Sequence, residues 1–176
     1  MILKMKSLID SPKRFYSRLT EKQRLQLQLI RPVRSLDTLY YPCSVTLSDG
    51  SKKDRTYIVC AEEYIKVWGI WPEEDKHKKS ILIDYVIEIQ ESDFRLPPQI
   101  AQKIYDGGES GMGYYIFTLI FNDGSKQAYI TGGAVDFIPL PIGMVMNDIA
   151  DVDLHVGRDD PMRMRSLDYY WCLYSK

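Results

Sequence analysis

VTLSDGSKKDRTYIVCAEEYIKV, residues 45–67, and TLIFNDGSKQAYITGGAVDFIPL, residues 118–140, are the two stretches that decide the fold. Each has the same order: an apolar strand, an Asp-Gly-Ser-Lys turn, a Tyr-Ile strand and a third segment with an aromatic residue beside isoleucine. Asp-Gly between apolar runs indicates a β-hairpin, because glycine tolerates the positive φ that the turn needs. The sequence therefore predicts two similar hairpin units.

The similarity continues after each hairpin. A loop leads to an apolar strand that contains an aspartate: IDYVIEI at residues 83–89 and NDIADVDL at residues 147–154, with Asp84 and Asp148 in equivalent places. Repetition of one supersecondary unit at a distance predicts an internal duplication. We expect residues 43–90 and 114–156 to form the two copies.

A short helix is expected between the two units, over residues 97–106. In LPPQIAQKIYDGG, Pro98 lies in the first turn, Ile100 and Ile104 share one face, and Gly107 ends the helix. Residues 43–71 read as three short strands, and ILIDYVIEIQ, residues 81–90, reads as one long strand buried on both faces.

A basic segment precedes this body. Residues 1–35 contain nine Lys and Arg against two Asp and Glu, a net charge of +7, whereas the whole chain has −1. Ser11 followed by Pro12 is a helix start signal, and Pro32 ends the apolar helical pattern. Such a basic amphipathic helix packs on its own domain or lies in a partner's groove or on a membrane.

The expected architecture is therefore α+β: a basic N-terminal segment over residues 1–35 that contains the amphipathic helix, then a body over residues 36–176. The body consists of two β-rich, antiparallel units joined by the short helix. The 13 tyrosines agree with β structure and also with a binding surface, because a tyrosine ring can lie half in water.

Composition narrows the class of function. The acidic body disfavours nucleic acid as a partner, because phosphate binding needs a basic surface. Three cysteines without metal-ligand spacing favour a reducing, cytoplasmic setting. We see neither a signal peptide nor an apolar run of the ~18 residues that cross a bilayer, so no membrane partner is expected.

The glycine-rich loop YDGGESGMGYY, residues 105–115, resembles a phosphate-binding loop in composition only. Phosphate loops lie between a strand and a following helix, so that the helix N-terminus faces the anion. Here a helix precedes the loop and a strand follows it. We therefore expect no nucleotide or other cofactor, and we expect Glu109 and Ser110 to stand on an exposed contact loop.

An acidic segment, NDIADVDLHVGRDD at residues 147–160, offers a second candidate site. On a strand, Asp151, Asp153 and His155 would project from one face, and two carboxylates with an imidazole suit a divalent transition metal. The simpler interpretation is a solvated strand face whose alternate residues point into the core.

These patterns predict a non-catalytic, cytoplasmic protein-binding module. An immunity or inhibitor protein that neutralises a bacterial toxin, especially a basic nuclease, is the concrete hypothesis, because carboxylates mimic phosphates and steer association. The alternative is a metal-dependent hydrolase that uses Asp151, Asp153 and His155. The residues expected to contact a partner are Glu109, Ser110, Trp71, Asp148, Asp151, Asp153, Asp159 and Asp160.

Overall fold

The computed structural model of the chain describes residues 14–176. Helices in this range are α1 (Glu21–Gln28), α2 (Ala61–Trp68) and α3 (Pro98–Asp106). The strands are β1 (Val33–Ser35), β2 (Thr38–Leu47), β3 (Lys52–Cys60), β4 (Lys79–Leu82), β5 (Val86–Gln90), β6 (Tyr115–Phe121), β7 (Lys126–Thr131), β8 (Ile149–Leu154), β9 (Met164–Arg165) and β10 (Tyr170–Tyr174). Within residues 14–176, no helix is long and apolar enough to cross a membrane.

Two sheets carry the fold. The first has the strand order β1-β2-β3-β10-β4, with β5 also paired to β2, and the second has the order β8-β6-β7-β9. Most neighbours are antiparallel, whereas β10 runs parallel to β3 and β4, and β9 runs parallel to β7. The expected α+β class with mainly antiparallel sheets is confirmed.

Side chains alternate between the two faces of each strand and so form two separate apolar clusters. In β10, Trp171 and Leu173 point into the larger cluster between the two sheets, whereas Cys172 points to the opposite face. That opposite face packs on Leu27 and Ile30, in and just after α1. Because side chains alternate with period two, one strand serves both clusters, and the layers are α1, first sheet, core and second sheet.

The two hairpin units share a detailed hydrogen-bond pattern. Ser51 O accepts from Leu47 N–H at 2.8 Å, and Ser125 O accepts from Phe121 N–H at 2.9 Å. A third strand then pairs antiparallel with the first strand of each hairpin, β5 on β2 and β8 on β6, and each pairing shifts register at its end. A 3₁₀ turn precedes each third strand, at Ile83–Tyr85 and at Met146–Asp148.

This pattern corrects one predicted equivalence. Ser48 N–H donates to Tyr85 O, and Asn122 N–H donates to Asp148 O, both at 2.8 Å. Asp148 therefore corresponds to Tyr85 in the geometry, and not to Asp84.

The first helix is shorter than its sequence pattern indicated. The predicted start at Ser11 and Pro12 lies outside the described residues, and residues 14–20 are not helical. Instead, α1 begins after Thr20, whose side chain accepts from Gln23 N–H while Gln23 Oε1 accepts from Thr20 N–H. This Thr-x-x-Gln capping box is the local signal that fixes the helix start.

The third predicted strand of the first unit is a helix. In α2, Ala61 and Tyr64 are buried, acidic residues occupy the first turn, and Gly69 ends the helix with φ 70°. Spacing of three residues between buried positions and a left-handed glycine cap are helix signals. The matching segment of the second unit, AVDFIPL at residues 134–140, forms only an isolated bridge between Arg95 and Phe137.

The stretch from Ile81 to Gln90 is also not one buried strand. The 3₁₀ turn divides it into the end of β4 and the whole of β5, and Leu82, Tyr85 and Ile87 are about half exposed. In contrast, α3 and its end at Gly107 agree with the prediction.

One buried carboxylate connects the separate parts of the core. Asp136 is fully buried, and its Oδ2 accepts from Tyr57 Oη at 3.0 Å and from Tyr105 Oη at 2.7 Å. The backbone N–H groups of Asp136 and Val135 donate in turn to these same two hydroxyls, each at 3.0 Å. Strand β3, helix α3 and the loop after β7 are thereby joined. Burial raises the pKa of Asp136, and its tyrosine hydrogen bonds and Arg95 oppose that rise.

Replacing this carboxylate should destabilise the whole fold. We expect Asp136→Ala to lower the free energy of unfolding by about 3 kcal/mol, because two buried hydroxyls would lose their acceptor. Urea denaturation followed by circular dichroism measures the change. Asp159→Ala, at an exposed position, is the control and should stay within about 0.5 kcal/mol of wild type. Equal unfolding midpoints for wild type and Asp136→Ala would contradict the central role of the network.

The same network predicts sensitivity to alkali. Burial, followed by the charge of Asp136, raises the pKa of Tyr57 and of Tyr105 well above the ordinary tyrosine value. A folded-state pKa above the unfolded value gives stability that is complete below pH ~10 and is lost as the pH rises further. We expect the melting temperature to fall steadily above pH ~10, and the ionisation of Tyr57 and Tyr105 to accompany unfolding. Ionisation of these two tyrosines before unfolding would contradict it.

Candidate functional site

The glycine-rich loop forms one wall of a cavity at the junction of the two units. The cavity has a volume of about 420 Å³. It is lined by Ser35, Leu36, Tyr40, Val67, Trp68, Tyr105, Gly108, Glu109, Gly113, Tyr115 and Gly133. We refer to it as the aromatic pocket, because four of its lining residues carry aromatic rings. Its size falls in the range of small-ligand and side-chain pockets.

The rings of this pocket support one another. Tyr105 packs edge-on against Tyr40 and Tyr115, with centroids 6.0 Å and 5.8 Å apart. Trp68 Nε1 donates to Tyr40 Oη at 3.1 Å. A Cβ atom at Gly133 would lie 2.9 Å from the Trp68 ring, so only glycine lets the indole occupy this position unchanged. The wall is therefore preorganised.

Ser110 and His155 hold the loop against the second sheet. Ser110 Oγ lies 2.8 Å from His155 Nδ1 and accepts from Ile116 N–H at 2.8 Å. His155 Nε2 lies 3.0 Å from Gly107 O, which can only accept, so Nε2 carries a proton. In the neutral ring, Nδ1 then accepts the Ser110 hydroxyl proton. His155 reaches this position because it follows β8 in the left-handed region, at φ 60°.

Arg158 also holds the glycine-rich loop in place. Its guanidinium donates to Tyr114 Oη at 2.7 Å and to Ser110 O at 3.0 Å. Within the loop, Glu109 Oε2 accepts from Gly113 N–H at 3.0 Å, where φ is 78°. The loop is thus attached at both ends, and Ser110 serves as an anchor, whereas the sequence suggested a contact residue.

Exposed apolar side chains flank the pocket. Leu36 is 78% exposed at the tip of the β1–β2 hairpin, with a strained φ of 53°, and Met112 is 98% exposed between two glycines of the loop. Leucine rarely adopts a positive φ, because its Cβ crowds the backbone. An apolar rim around a concave site is typical of a contact surface.

The proposed metal ligands do not converge. Asp151 pairs with Lys103 at 2.6 Å, Asp153 pairs with Lys126 at 3.3 Å, and His155 turns away to Ser110. Among residues 14–176, no group of three His, Cys, Asp or Glu side chains is arranged to hold a metal ion. The hydrolase alternative therefore gains no support from the geometry.

The remaining acidic residues serve local turns. Asp148 Oδ2 accepts from Val145 N–H at 2.9 Å, and Asp160 Oδ1 accepts from Met162 N–H at 2.8 Å. Asp159 is exposed. These carboxylates lie on the surface of the second unit, and none of them lines the aromatic pocket.

Trp71 does not belong to an exposed surface. It is 8% exposed, and its ring packs against Tyr16 with centroids 5.3 Å apart. The expectation that Trp71 contacts a partner is therefore corrected, because folding places this ring in the interior. Trp68, three residues earlier, is the tryptophan that reaches the pocket.

Sequence reasoning missed most of the pocket. Tyr40, Trp68, Tyr105 and Tyr115 come from four separate elements, and their spacing along the chain carries no common pattern. The abundance of tyrosine was the only signal that could have indicated them. The sequence did indicate Glu109, because the glycines on both sides of it predict an exposed loop.

A larger cavity, of about 590 Å³, lies between residues 91–99 and residues 145–147. The buried guanidinium of Arg95 lines this cavity and donates to Arg31 O. Its Nη1 lies 3.6 Å from Glu91 Oε2. Asp93 adds a second carboxylate to the lining. Because these charges oppose one another, this cavity has no clear preference for an anion or a cation.

Removing the loop anchor gives a direct test of this description. In Ser110→Ala, Ile116 N–H loses its acceptor and Nδ1 of His155 loses its partner, so we expect faster hydrogen exchange at Ile116 and along residues 107–114. Ser48→Ala, on an exposed hairpin turn, should leave this exchange unchanged. Unaltered protection of Ile116 in Ser110→Ala would show that the loop is held by other contacts.

Comparison with known proteins gave no match to a family model, to a curated protein or to a solved structure. The assignment of a function therefore depends on the geometry of the site.

Proposed function

We propose that this protein is a non-catalytic, cytoplasmic protein-binding module, of the immunity or inhibitor type, that neutralises a basic partner such as a bacterial toxin or nuclease. The observation that carries the proposal is the aromatic pocket. It combines four rings, the carboxylate of Glu109 and an exposed apolar rim in one preorganised concavity.

The chemistry of the pocket favours protein recognition. Aromatic residues and methionine are enriched at the centres of protein interfaces, where large rigid rings lose little conformational entropy on binding. Leu36 lines the pocket and Met112 precedes the lining residue Gly113 in the chain; both are exposed and would bury apolar area against a partner. A preorganised wall also lowers the entropic cost of association.

The charge of the site favours a basic partner. Glu109 is exposed and belongs to the lining, and among residues 14–176 neither a lysine nor an arginine lines the pocket. Asp159 and Asp160 are also exposed on the second unit, together with Arg158, Arg163 and Arg165, so the preference depends on Glu109. A carboxylate at a binding site accelerates association with a basic protein, and rising salt weakens this effect.

Reversal of one charge tests the proposal. We expect affinity capture from cells of the source organism to retain a basic protein on the wild-type chain at low salt and to release it at high salt. Glu109→Lys should lose that protein, with at least a tenfold drop in affinity, because a repulsive charge would occupy the pocket mouth. Captured proteins are identified by mass spectrometry, and their affinity is measured by calorimetry.

Asp93→Lys is the matched control, since it makes the same change of charge at an exposed position outside the aromatic pocket. It should bind as wild type does. If no captured protein distinguishes Glu109→Lys from Asp93→Lys, the binding surface lies elsewhere and the proposal fails.

A further inference from the structure

The aromatic pocket has the composition of a cation site. Four aromatic rings line it, and the electron-rich faces of phenol and indole rings attract cations within about 6 Å of the ring centroid. The molecule itself contains such a contact on the same indole: Lys78 Nζ lies 4.0 Å from the Trp68 ring centroid. Asp75, at 3.6 Å, balances the charge of Lys78, so this internal pair adds no net positive charge beside the pocket.

Glu109 supplies the complementary charge. Its Oε2 is fixed by the N–H of Gly113, and the loop that carries it is fastened through Ser110 and Arg158. Burial is the main cause that raises the pKa of Tyr115, and the charge of Glu109 adds to the rise.

We propose that the aromatic pocket receives the guanidinium group of an arginine side chain of the partner, stacked against the rings and paired with Glu109. This inference rests on the proposed function, because it names the group of the partner that the module recognises. The pocket volume of about 420 Å³ is ample for one such side chain.

Guanidinium suits this site better than the ammonium of lysine. It is planar, is weakly hydrated and stacks on aromatic faces, so it loses less solvation on entry. Its forked donors also match a carboxylate at the pocket mouth. A neutral apolar side chain would fill the space but would leave the negative charge of Glu109 without a counter-charge.

Small probes test the chemistry without knowledge of the partner. We would titrate the intact chain with Nα-acetyl-arginine amide and with Nα-acetyl-citrulline amide, its neutral isostere, and follow the indole N–H signals by NMR. The arginine probe should shift the Trp68 signal and saturate with a Kd on the order of millimolar. Citrulline should bind at least about tenfold more weakly, because it lacks the charge.

Two variants complete the test. Glu109→Gln keeps the shape of the side chain and should lower the affinity for the arginine probe about tenfold, whereas Asp93→Asn should leave that affinity unchanged. Equal binding of arginine and citrulline, or no effect of Glu109→Gln, would overturn the proposal. Tighter binding of Nα-acetyl-lysine amide than of the arginine probe would overturn the choice of guanidinium.

The outcomes separate this inference from the proposed function. If the chain captures a basic protein through Glu109 but the arginine probe shifts no signal, the arginine site is wrong and the binding module stands. If the probe binds as expected but no captured protein depends on Glu109, the cation site stands and the protein-binding function fails.

Discussion

The buried carboxylate of Asp136 is the constraint on which the rest of the structure depends. Its two tyrosine partners come from β3 and α3, and its own backbone belongs to the loop after β7. In a medium of low dielectric an unpaired polar group is costly, and Oδ2 of Asp136 keeps both hydroxyl partners only when all three segments are in place, whereas its Oδ1 has no partner among the described residues. The packing of the two units is therefore specific: a small slide of one unit would leave hydroxyls and a carboxylate without partners.

The aromatic pocket is a consequence of that packing. Tyr105 donates to Asp136 through its hydroxyl and presents part of its ring to the pocket, so the same residue closes the core and lines the site. On one side lies the β1–β2 hairpin, and on the other lies the glycine-rich loop that leaves α3. The rigid rings and the anchored loop together form a concave surface that needs little rearrangement to bind a ligand. Recognition sites are usually preorganised in this way.

The amino-acid sequence predicted the locally encoded features. Both Asp-Gly hairpins, α3 and its glycine end depend on residues within a few positions, and all four are present where the sequence predicted them. The segment Ala61–Trp68 was wrongly predicted as a strand, because short apolar runs fit both periods and Tyr-Ile suggested β structure. The first helix was placed too early, because its predicted start depended on Ser11 and Pro12, whereas the capping box at Thr20 fixes it. Burial of Trp71 against Tyr16 depended on a contact across 55 positions, which no local pattern carries.

The sequence by itself determined which hairpins and helices form and where they turn or end. Glycine, proline and capping residues set these points because each restricts or bonds the backbone within a few residues of itself. What only the tertiary structure decided is which distant residues meet. The C-terminal strand β10 inserts between β3 and β4 in the middle of a sheet, and Trp171 becomes fully buried there. Ser110 meets His155, and four rings from four elements enclose one pocket beside Glu109. These encounters follow from the joint burial of two sheets around one core, and that free energy belongs to the whole chain and to no single stretch of it.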